Sequence, residues 1–479
     1  MINPKARPCA ELAIRATRGA ADCAAQQKRW VLAATILASV IAYTDESVVN
    51  VALPAIARGL ATSVAVVQWV VNAYTLCLAA LLLLGGAAGD RFGRRTMFMA
   101  GIGVFALASL WCGFAPDATQ LVAARAVQGV GAALLIPCSL AIIGATFPES
   151  ERGVAIGTWA GFSSLASAIG PLLGGWIVDH LSWPVIFLIN PVLALPALLI
   201  AWRHVPESRD PEAPPTLDWL GALLAFVGLG SVTFALIALP DAGWRAPAFL
   251  APLAVGLPLL AVFIWHERRT AAPMMPLGLF RSATFSGINA MTLLLYAALG
   301  GAFFLLPFGL IQVHGTSATA AGSVFLPFTI IMGVLSRWAG GLLDKVGARL
   351  PLIVGSTLTA FGFGLFALAG PATPFWIAFL LPVTVIGLGM VITVAPLTTA
   401  VMNAVPNHQI GIASGVNNAV ATVANLFAIA IFGAIALNLF SSDMASGIRI
   451  AMLLAAGLSL ASAVCAAVTI PATHKPAGK

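Results

Sequence analysis

Gly86-Ala87-Ala88-Gly89-Asp90-Arg91-Phe92-Gly93-Arg94-Arg95 is the stretch on which the reading of this chain turns, because the chain repeats it. A weaker copy, Gly340-Gly341-Leu342-Leu343-Asp344-Lys345-Val346-Gly347-Ala348-Arg349, follows at an offset of 344 − 90 = 254. Pro148 with Gly153 and Gly157 recurs as Pro406 with Gly411 and Gly415, an offset of 406 − 148 = 258. Gly129-x-Gly131 recurs as Gly387-x-Gly389 at the same 258. Three echoes at nearly one offset mark an internally duplicated chain. In an apolar chain, two repeats of this kind are the architecture of a secondary transporter.

The composition places the chain in a membrane. Only 9% of its residues are charged and 60% are apolar, whereas soluble domains carry roughly a quarter charged residues. Apolar runs long enough to cross a bilayer lie near 30–53, 64–88, 96–115, 119–144, 153–178, 183–202 and 217–240. They continue near 247–266, 284–312, 318–341, 351–370, 374–400, 410–438 and 447–471, fourteen helices in all. The repeat checks this number. Eight bilayer-length helices with short loops take roughly 256 residues, and Asp90 ends helix 2 while Asp344 ends helix 10. A plain six-plus-six duplication would place the echo six helices on, so helices 7 and 8 are inserted between the halves. The expected organisation is an N-terminal tail (1–29), a six-helix bundle (30–204), a Pro- and acid-rich linker (205–216) and the inserted pair (217–266). A loop (267–283), a second six-helix bundle (284–471) and a tail (472–479) complete it.

Basic residues fix the expected orientation. Of the 24 Lys and Arg, nineteen fall in segments on one side, Arg91, Arg94, Arg95 and Lys345 among them. Three, Arg58, Arg245 and Arg449, fall on the other, and Arg125 and Arg337 lie within spans. Both termini are therefore expected in the cytoplasm. The net charge of +7 is this bias; no basic stripe with interleaved aromatics points to nucleic acid. The first 29 residues are polar and basic, and the apolar run after them is too long for a cleaved signal peptide. Six scattered cysteines suggest neither a disulfide framework nor a metal site. No HExxH, P-loop or GxSxG constellation occurs, so neither an enzyme nor an ATP-driven pump is expected.

Four motifs then resemble a family. Leu121-x-x-x-Arg125-x-x-Gln128-Gly129-x-Gly131 is similar to the helix 4 motif of major facilitator superfamily transporters, and Gly170-Pro171-Leu172-Leu173-Gly174-Gly175 to their helix 5 antiporter motif. Gly86 to Arg95 resembles the loop 2–3 signature. Asp45-Glu46-Ser47-Val48-Val49-Asn50-Val51-Ala52-Leu53-Pro54 resembles the helix 1 motif of the fourteen-helix drug:proton antiporters, with Ser47 where Thr is usual. The resemblance spans about 28–471. It implies a major facilitator fold and a multi-pass protein of the bacterial cytoplasmic membrane. It also implies proton-coupled export of hydrophobic, often cationic, compounds by alternating access, with the proton gradient in place of any cofactor. The partners are then a small hydrophobic substrate, the proton and the bilayer, with no nucleic acid and no identified accessory efflux protein. In the family the loop signature latches the cytoplasmic side, and Asp90 with Arg91 would carry that over, supported by Gly93, Arg94, Arg95 and the echo at Asp344. The second half departs from the pattern, since Val383 stands in the place of Arg125.

The residues also speak for themselves. An ionised side chain at bilayer depth costs at least about 2.5–3.5 kcal/mol and needs a partner, a watery cavity or a task. Asp45 lies about 22 Å along helix 1 and Arg125 about 9 Å into helix 4 from the opposite face, which matches their depths. Adjacent helical residues point about 100° apart, so Asp45 and Glu46 cannot both face one partner. Glu46 shares a polar stripe with Thr35, Ser39, Tyr43 and Asn50, whereas Asp45 shares an apolar one. Glu46 is thus read as the acid facing a cavity and Asp45 as the partner of Arg125, although the family motif places its acid at Asp45. Snorkelling of both acids to headgroups is the plainer alternative. Gln68, Asn72 and Thr75 share a face of helix 2 and either line water or hold helices together. On helix 5, Gly170, Pro171, Gly174 and Gly175 suggest a rocking interface, or simply close packing. Asp218 reads as a helix cap. The competing reading is export or uptake of one specific metabolite such as an amino acid, sugar or siderophore. It would ask for a denser set of fixed polar groups.

Overall fold

The computed structural model describes residues 17–210, 216–340, 346–369, 373–406, 409–436 and 444–471. Among them are fourteen helices long and apolar enough to cross a membrane. The first bundle is α1 (Thr17–Gly59), α2 (Val64–Phe92), α3 (Arg94–Gly113), α4 (Ala118–Thr146), α5 (Glu149–His180) and α6 (Val185–His204). The inserted pair is α7 (Trp219–Ala242) and α8 (Pro247–Arg269). The second bundle opens with α9 (Ala283–Phe308), then α10, broken into Ala318–Ser323 and Leu326–Gly340. It closes with α11 (Arg349–Leu368), α12 (Leu381–Asn403), α13 (Ile410–Ala434) and α14 (Met444–Thr469).

Short polar residues start many of these helices. Ser63, Asp117, Asp218, Ser282 and Ser317 each accept the backbone N–H of the residue three positions on, which satisfies a donor that the first turn cannot. One helix departs from the sequence expectation. α1 begins at Thr17, well before its apolar run, because Ala- and Gln-rich sequence is good helix former even where it is polar. Between α2 and α3 there is no loop at all, only Gly93 at φ +117°, a backbone conformation that favours glycine.

Within each bundle, small residues bring backbones together. A Cβ on Gly131 of α4 would fall 2.6 Å from the Phe105 nitrogen of α3. One on Gly389 of α12 would fall 2.6 Å from the Gly355 carbonyl of α11. The bundles meet along two seams, α2 with α13 and α5 with α10, and the inserted α7 lies over the first seam against both α2 and α13.

The second seam is closed at one end only. At the end away from the arginine-rich loops, backbone approaches backbone where Gly175 of α5 meets Ala318 of α10 and Gly322 meets Pro171. Fourteen residues is close to four helical turns, so Gly157 and Gly161 lie on the same face of α5 as Pro171 and Gly175. A Cβ on either would meet nothing within 4 Å. Val154, one turn earlier, is 74% exposed. Along this seam the halves are therefore in contact at the far end and apart at the arginine-rich end, whereas α2 and α13 still meet there, with a Cβ on Gly415 falling 3.2 Å from the Leu83 side chain.

Candidate functional site

Asp45 and Arg125 meet in the interior of the first bundle. Arg125 Nη1 lies 2.5 Å from Asp45 Oδ2, with the arginine 0% and the aspartate 2% exposed. A buried ion pair is tolerable only if its remaining hydrogen-bonding capacity is met, and here it is. Arg125 Nε donates to the Val70 carbonyl at 3.0 Å and Nη1 to Gln128 Oε1 at 2.6 Å. Asp45 Oδ1 accepts from Gln128 Nε2 at 2.9 Å and Asn190 Nδ2 at 2.6 Å. Gln128 also donates to Ser109 Oγ at 2.8 Å. The Tyr74 ring centroid lies 4.4 Å from the guanidinium carbon, a cation–π contact. Five helices, α1 to α4 and α6, thus supply one closed network. Asn190 and Ser109 were not singled out from sequence, and Gln128 was read only as a member of the helix 4 motif. The one available signal was Asn190 itself, an amide in an otherwise apolar helix.

Glu46 leaves this network, as the 100° between neighbours requires. It is half-buried beside Tyr43 and Asn50, within electrostatic reach of Arg125 and Asp45. Tyr296 of α9, in the second bundle, lies within electrostatic reach of Tyr43. Tyr43, Tyr74 and Tyr296 are the chain's three tyrosines, and all gather here. Several buried polar atoms nearby have no hydrogen-bond partner among the described residues: Asn50 Oδ1, both amide atoms of Asn72 and the Tyr74 hydroxyl. Native interiors rarely leave such groups unmatched.

The polar stripe expected on α1 is shorter than the sequence suggested. Thr35 and Ser39 are fully buried. Thr35 donates to its own helix backbone, and Ser39 accepts from Trp159 Nε1 at 2.8 Å, so only Tyr43, Glu46 and Asn50 remain half-buried. Gln68 also sits elsewhere than on a simple cavity wall. Its Nε2 donates across the seam to the Ile429 carbonyl at 3.5 Å, while Thr75 bonds back to Val71.

The α5 stripe divides between two partners. Gly170 and Gly174 face Ser47 and Val48 of α1 inside the first bundle, whereas Pro171 and Gly175 face α10 of the second. Only the latter two belong to a surface between halves. The same junction carries a carboxylate missed from sequence. Asp179 accepts the N–H groups of Ala318 (3.1 Å) and Thr319 (2.7 Å) and the Thr319 hydroxyl (2.6 Å), capping α10 from across the seam. Beside it remains a cavity of about 280 Å³ with Arg58, Asp179 and Ser317 in its wall.

At the arginine-rich end the partner of Asp90 is Arg94, not Arg91. Arg94 Nη2 lies 2.7 Å from Asp90 Oδ1, the i,i+4 spacing that faces side chains together, while Arg91 stacks on Phe92 at 5.2 Å. Glu207 of the linker caps α3, accepting the N–H groups of Arg95 (3.0 Å) and Thr96 (3.1 Å). A Cβ on Gly93 would collide with that carboxylate at 2.6 Å. Arg95 Nη2 donates to the Trp202 carbonyl. Asp344 lies outside the described residues.

Comparison with known proteins agrees with this architecture. The model of the Major Facilitator Superfamily matches residues 35–429. The chain is 33% identical over 405 residues to Multidrug resistance protein Stp of Mycobacterium tuberculosis (strain CDC 1551 / Oshkosh), covering 84% of this chain and 75% of that one. It is 34% identical to the Methylenomycin A resistance protein of Bacillus subtilis (strain 168), covering 85% and 87%. With the Puromycin resistance protein pur8 of Streptomyces alboniger it shares 35% identity, covering 92% and 91%. Among solved structures, the POT family transporter PepTSo superposes with a TM-score of 0.66 at 16% identity, over 93% of this chain and 97% of that one. The inward-open xylose transporter XylE from E. coli gives 0.63 at 16%, over 92% and 96%; both likenesses concern the fold.

Proposed function

The chain belongs to the Major Facilitator Superfamily, and from that premise we propose that it is a proton-coupled antiporter exporting hydrophobic, often cationic, drugs or toxic compounds by alternating access. The observation that carries the reading is Glu46, a half-buried carboxylate that stands outside the closed Asp45–Arg125 pair on the helix face it shares with Tyr43 and Asn50. Relatives named for multidrug resistance, antibiotic resistance and export support the substrate class, and a family of transporters argues for carriage rather than catalysis.

In this reading the protein sits in the bacterial cytoplasmic membrane with both termini and the arginine-rich loops inside, so the conformation described above faces the cytoplasm. Glu46 exchanges its proton for a cationic or hydrophobic compound in this state. It is reprotonated once the Asp179 cap and the Gly175–Ala318 contact part and the far end opens. Asp45 and Arg125 neutralise one another and hold α1 and α4 in register beside it, with Tyr43, Asn50 and Asn72 as neighbouring contacts. Gln68 acts at the seam. Asp90 with Arg94, and Pro171 with Gly175, move with the change of state.

Replacing Glu46 by Gln keeps the shape and removes the proton. In proteoliposomes, Glu46→Gln is expected to abolish export driven by a pH gradient while the protein still folds and binds ligand. Wild-type export by both Glu46→Gln and Asp45→Asn would overturn proton coupling at this site.

A further inference from the structure

Two carboxylates stand together in the inserted hairpin, remote from the central network. Asp218 starts α7. Its Oδ1 accepts the Gly221 N–H at 2.8 Å and lies 2.8 Å from His266 Nε2. Glu267 is in the last turn of α8, and its Oε2 accepts the Met275 N–H at 2.9 Å. The other oxygen of each, Asp218 Oδ2 and Glu267 Oε1, has no partner among the described residues. Both close on one point. A Cβ on Gly221 would fall 2.5 Å from the first and 2.8 Å from the second. Glu267 is 3% exposed and the Asp218 side chain 5%, so little solvent touches either carboxylate.

Two like charges held this close in a buried place cannot both remain ionised. Neighbouring cations do not resolve the conflict. His266 is directed at the other oxygen of Asp218, and Arg269 stacks on Trp265 at 4.6 Å. α2 and α13 pack on α7. On α2, Asp90 is engaged with Arg94 of α3, and Arg91 with Phe92; α13 has no Asp, Glu, Lys or Arg in its sequence. Among the described residues, Arg268 forms no ion pair with either carboxylate, and the loop 270–276 is uncharged.

We propose that Asp218 and Glu267 bind a single proton between Oδ2 and Oε1, carried by Glu267 and donated to the Asp218 carboxylate, and that this proton fastens the loop 270–276 to the inserted hairpin. Asp218 is the member suited to stay ionised. Burial works toward its neutral form, but the Gly221 N–H and His266 outweigh it and hold its carboxyl below the usual range. Glu267 in its protonated form donates through Oε1 and still accepts from Met275 through Oε2, so each oxygen has a partner. When the proton leaves, two anions face one another and Glu267 is driven from the site, releasing Met275 and with it the segment that leads into the second bundle. Folding that requires a bound proton stabilises at low pH and loses that contribution as pH rises through the titration of the pair.

The test uses the full chain purified in detergent, independently of any transport assay. Wild type, Glu267→Gln and Asp218→Asn are melted from about pH 5 to about pH 9, a range that starts above the ordinary carboxyl titration and brackets that of His, so that only a carboxyl held above its ordinary value titrates within it. Infrared spectra over the same range follow the C=O stretch of protonated carboxyl groups. The amide introduced by Glu267→Gln donates to Asp218 at every pH, so this variant is expected to lose one protonated-carboxyl signal and to flatten the fall of Tm with pH. Asp218→Asn removes the like charge, and the signal of Glu267 should then disappear at lower pH than in wild type. An unchanged infrared signal and an unchanged pH slope in Glu267→Gln overturn the proposal. Should that variant fail to fold, an unshifted titration in Asp218→Asn overturns it equally.

Discussion

The α3–α4 crossing of the first bundle and the α11–α12 crossing of the second are one device, with charge and without it. Gly101 and Gly131 bring α3 and α4 into backbone contact, and Gly355 and Gly389 do the same for α11 and α12. Around the first crossing lies the Asp45–Arg125–Gln128–Asn190 network. At the place of Arg125 the second has Val383, fully buried in an apolar cluster, and its neighbourhood in sequence is Leu381-Pro382-Val383. Buried polar contacts in the second bundle are neutral and lie elsewhere, as between Asn417 of α13 and Asn289 and Thr292 of α9 and between Ser462 of α14 and the Met291 carbonyl of α9. The difference teaches which features duplication has to keep. A close backbone approach admits only glycine, so it survives in both copies. A buried ion pair can be exchanged for apolar packing at little cost if both partners go together, so one copy can be apolar without harm to the fold.

The sharpest way to break this comparison is to remove half of the charged pair. Arg125→Ala leaves Asp45 buried with its principal cation gone, and the expected loss is about 3–5 kcal/mol of stability together with transport. Val383→Ala at the corresponding place of the second bundle removes two methyl groups and should cost less, about 1–3 kcal/mol, or twice what a single deleted methylene costs, and without loss of a charged contact. Thermal melts of the two variants in one detergent decide the matter. Equal losses would mean that the network is not what distinguishes the halves.

The glycines make the opposite forecast, symmetry. Gly131→Ala places a methyl 2.6 Å from the Phe105 nitrogen, and Gly389→Ala places one 2.6 Å from both the Gly355 carbonyl and the Thr359 nitrogen. Overpacking of this kind costs about 1–3 kcal/mol, and both variants should lose it. Melting temperatures that fall for one and not for the other would show that only one crossing depends on contact.

The membrane-spanning helices were legible because fourteen apolar runs of bilayer length leave little else for the chain to do, and the glycine echoes were legible because glycine is irreplaceable where backbones touch. The depth match of Asp45 and Arg125 was also within reach, since helix rise alone fixes it. What escaped reading shares a physical character. Asn190 and Glu207 act through partners 145 and 112 residues away and Ser109 through Gln128 on the next helix, and no local pattern announces such a partner. The start of α1 at Thr17 escaped because its polar turn carries no apolar period. On α5, Gly174 and Gly175 are neighbours in sequence but face different helices, and the pattern of small residues alone does not say which face meets which neighbour.

The smallest effect probes the neutral side of the comparison. Asn417 Nδ2 donates to Thr292 Oγ1 at 2.8 Å and to Asn289 Oδ1 at 3.2 Å, joining α13 to α9 inside the second bundle. Asn289 already donates to the Phe285 carbonyl, and Thr292 to that of Ile288, so each keeps one bond without Asn417. Asn417→Leu therefore strands an acceptor on Asn289 but no charge. Interhelical hydrogen bonds of this kind in membranes average about 0.6 kcal/mol and reach about 1.7, and a loss in that range is expected, with the pH dependence of stability unchanged because nothing titratable is involved. A loss as large as that of Arg125→Ala would show that the second bundle holds a polar centre as demanding as the first. The contrast between a charged and a neutral half would then rest on sequence alone.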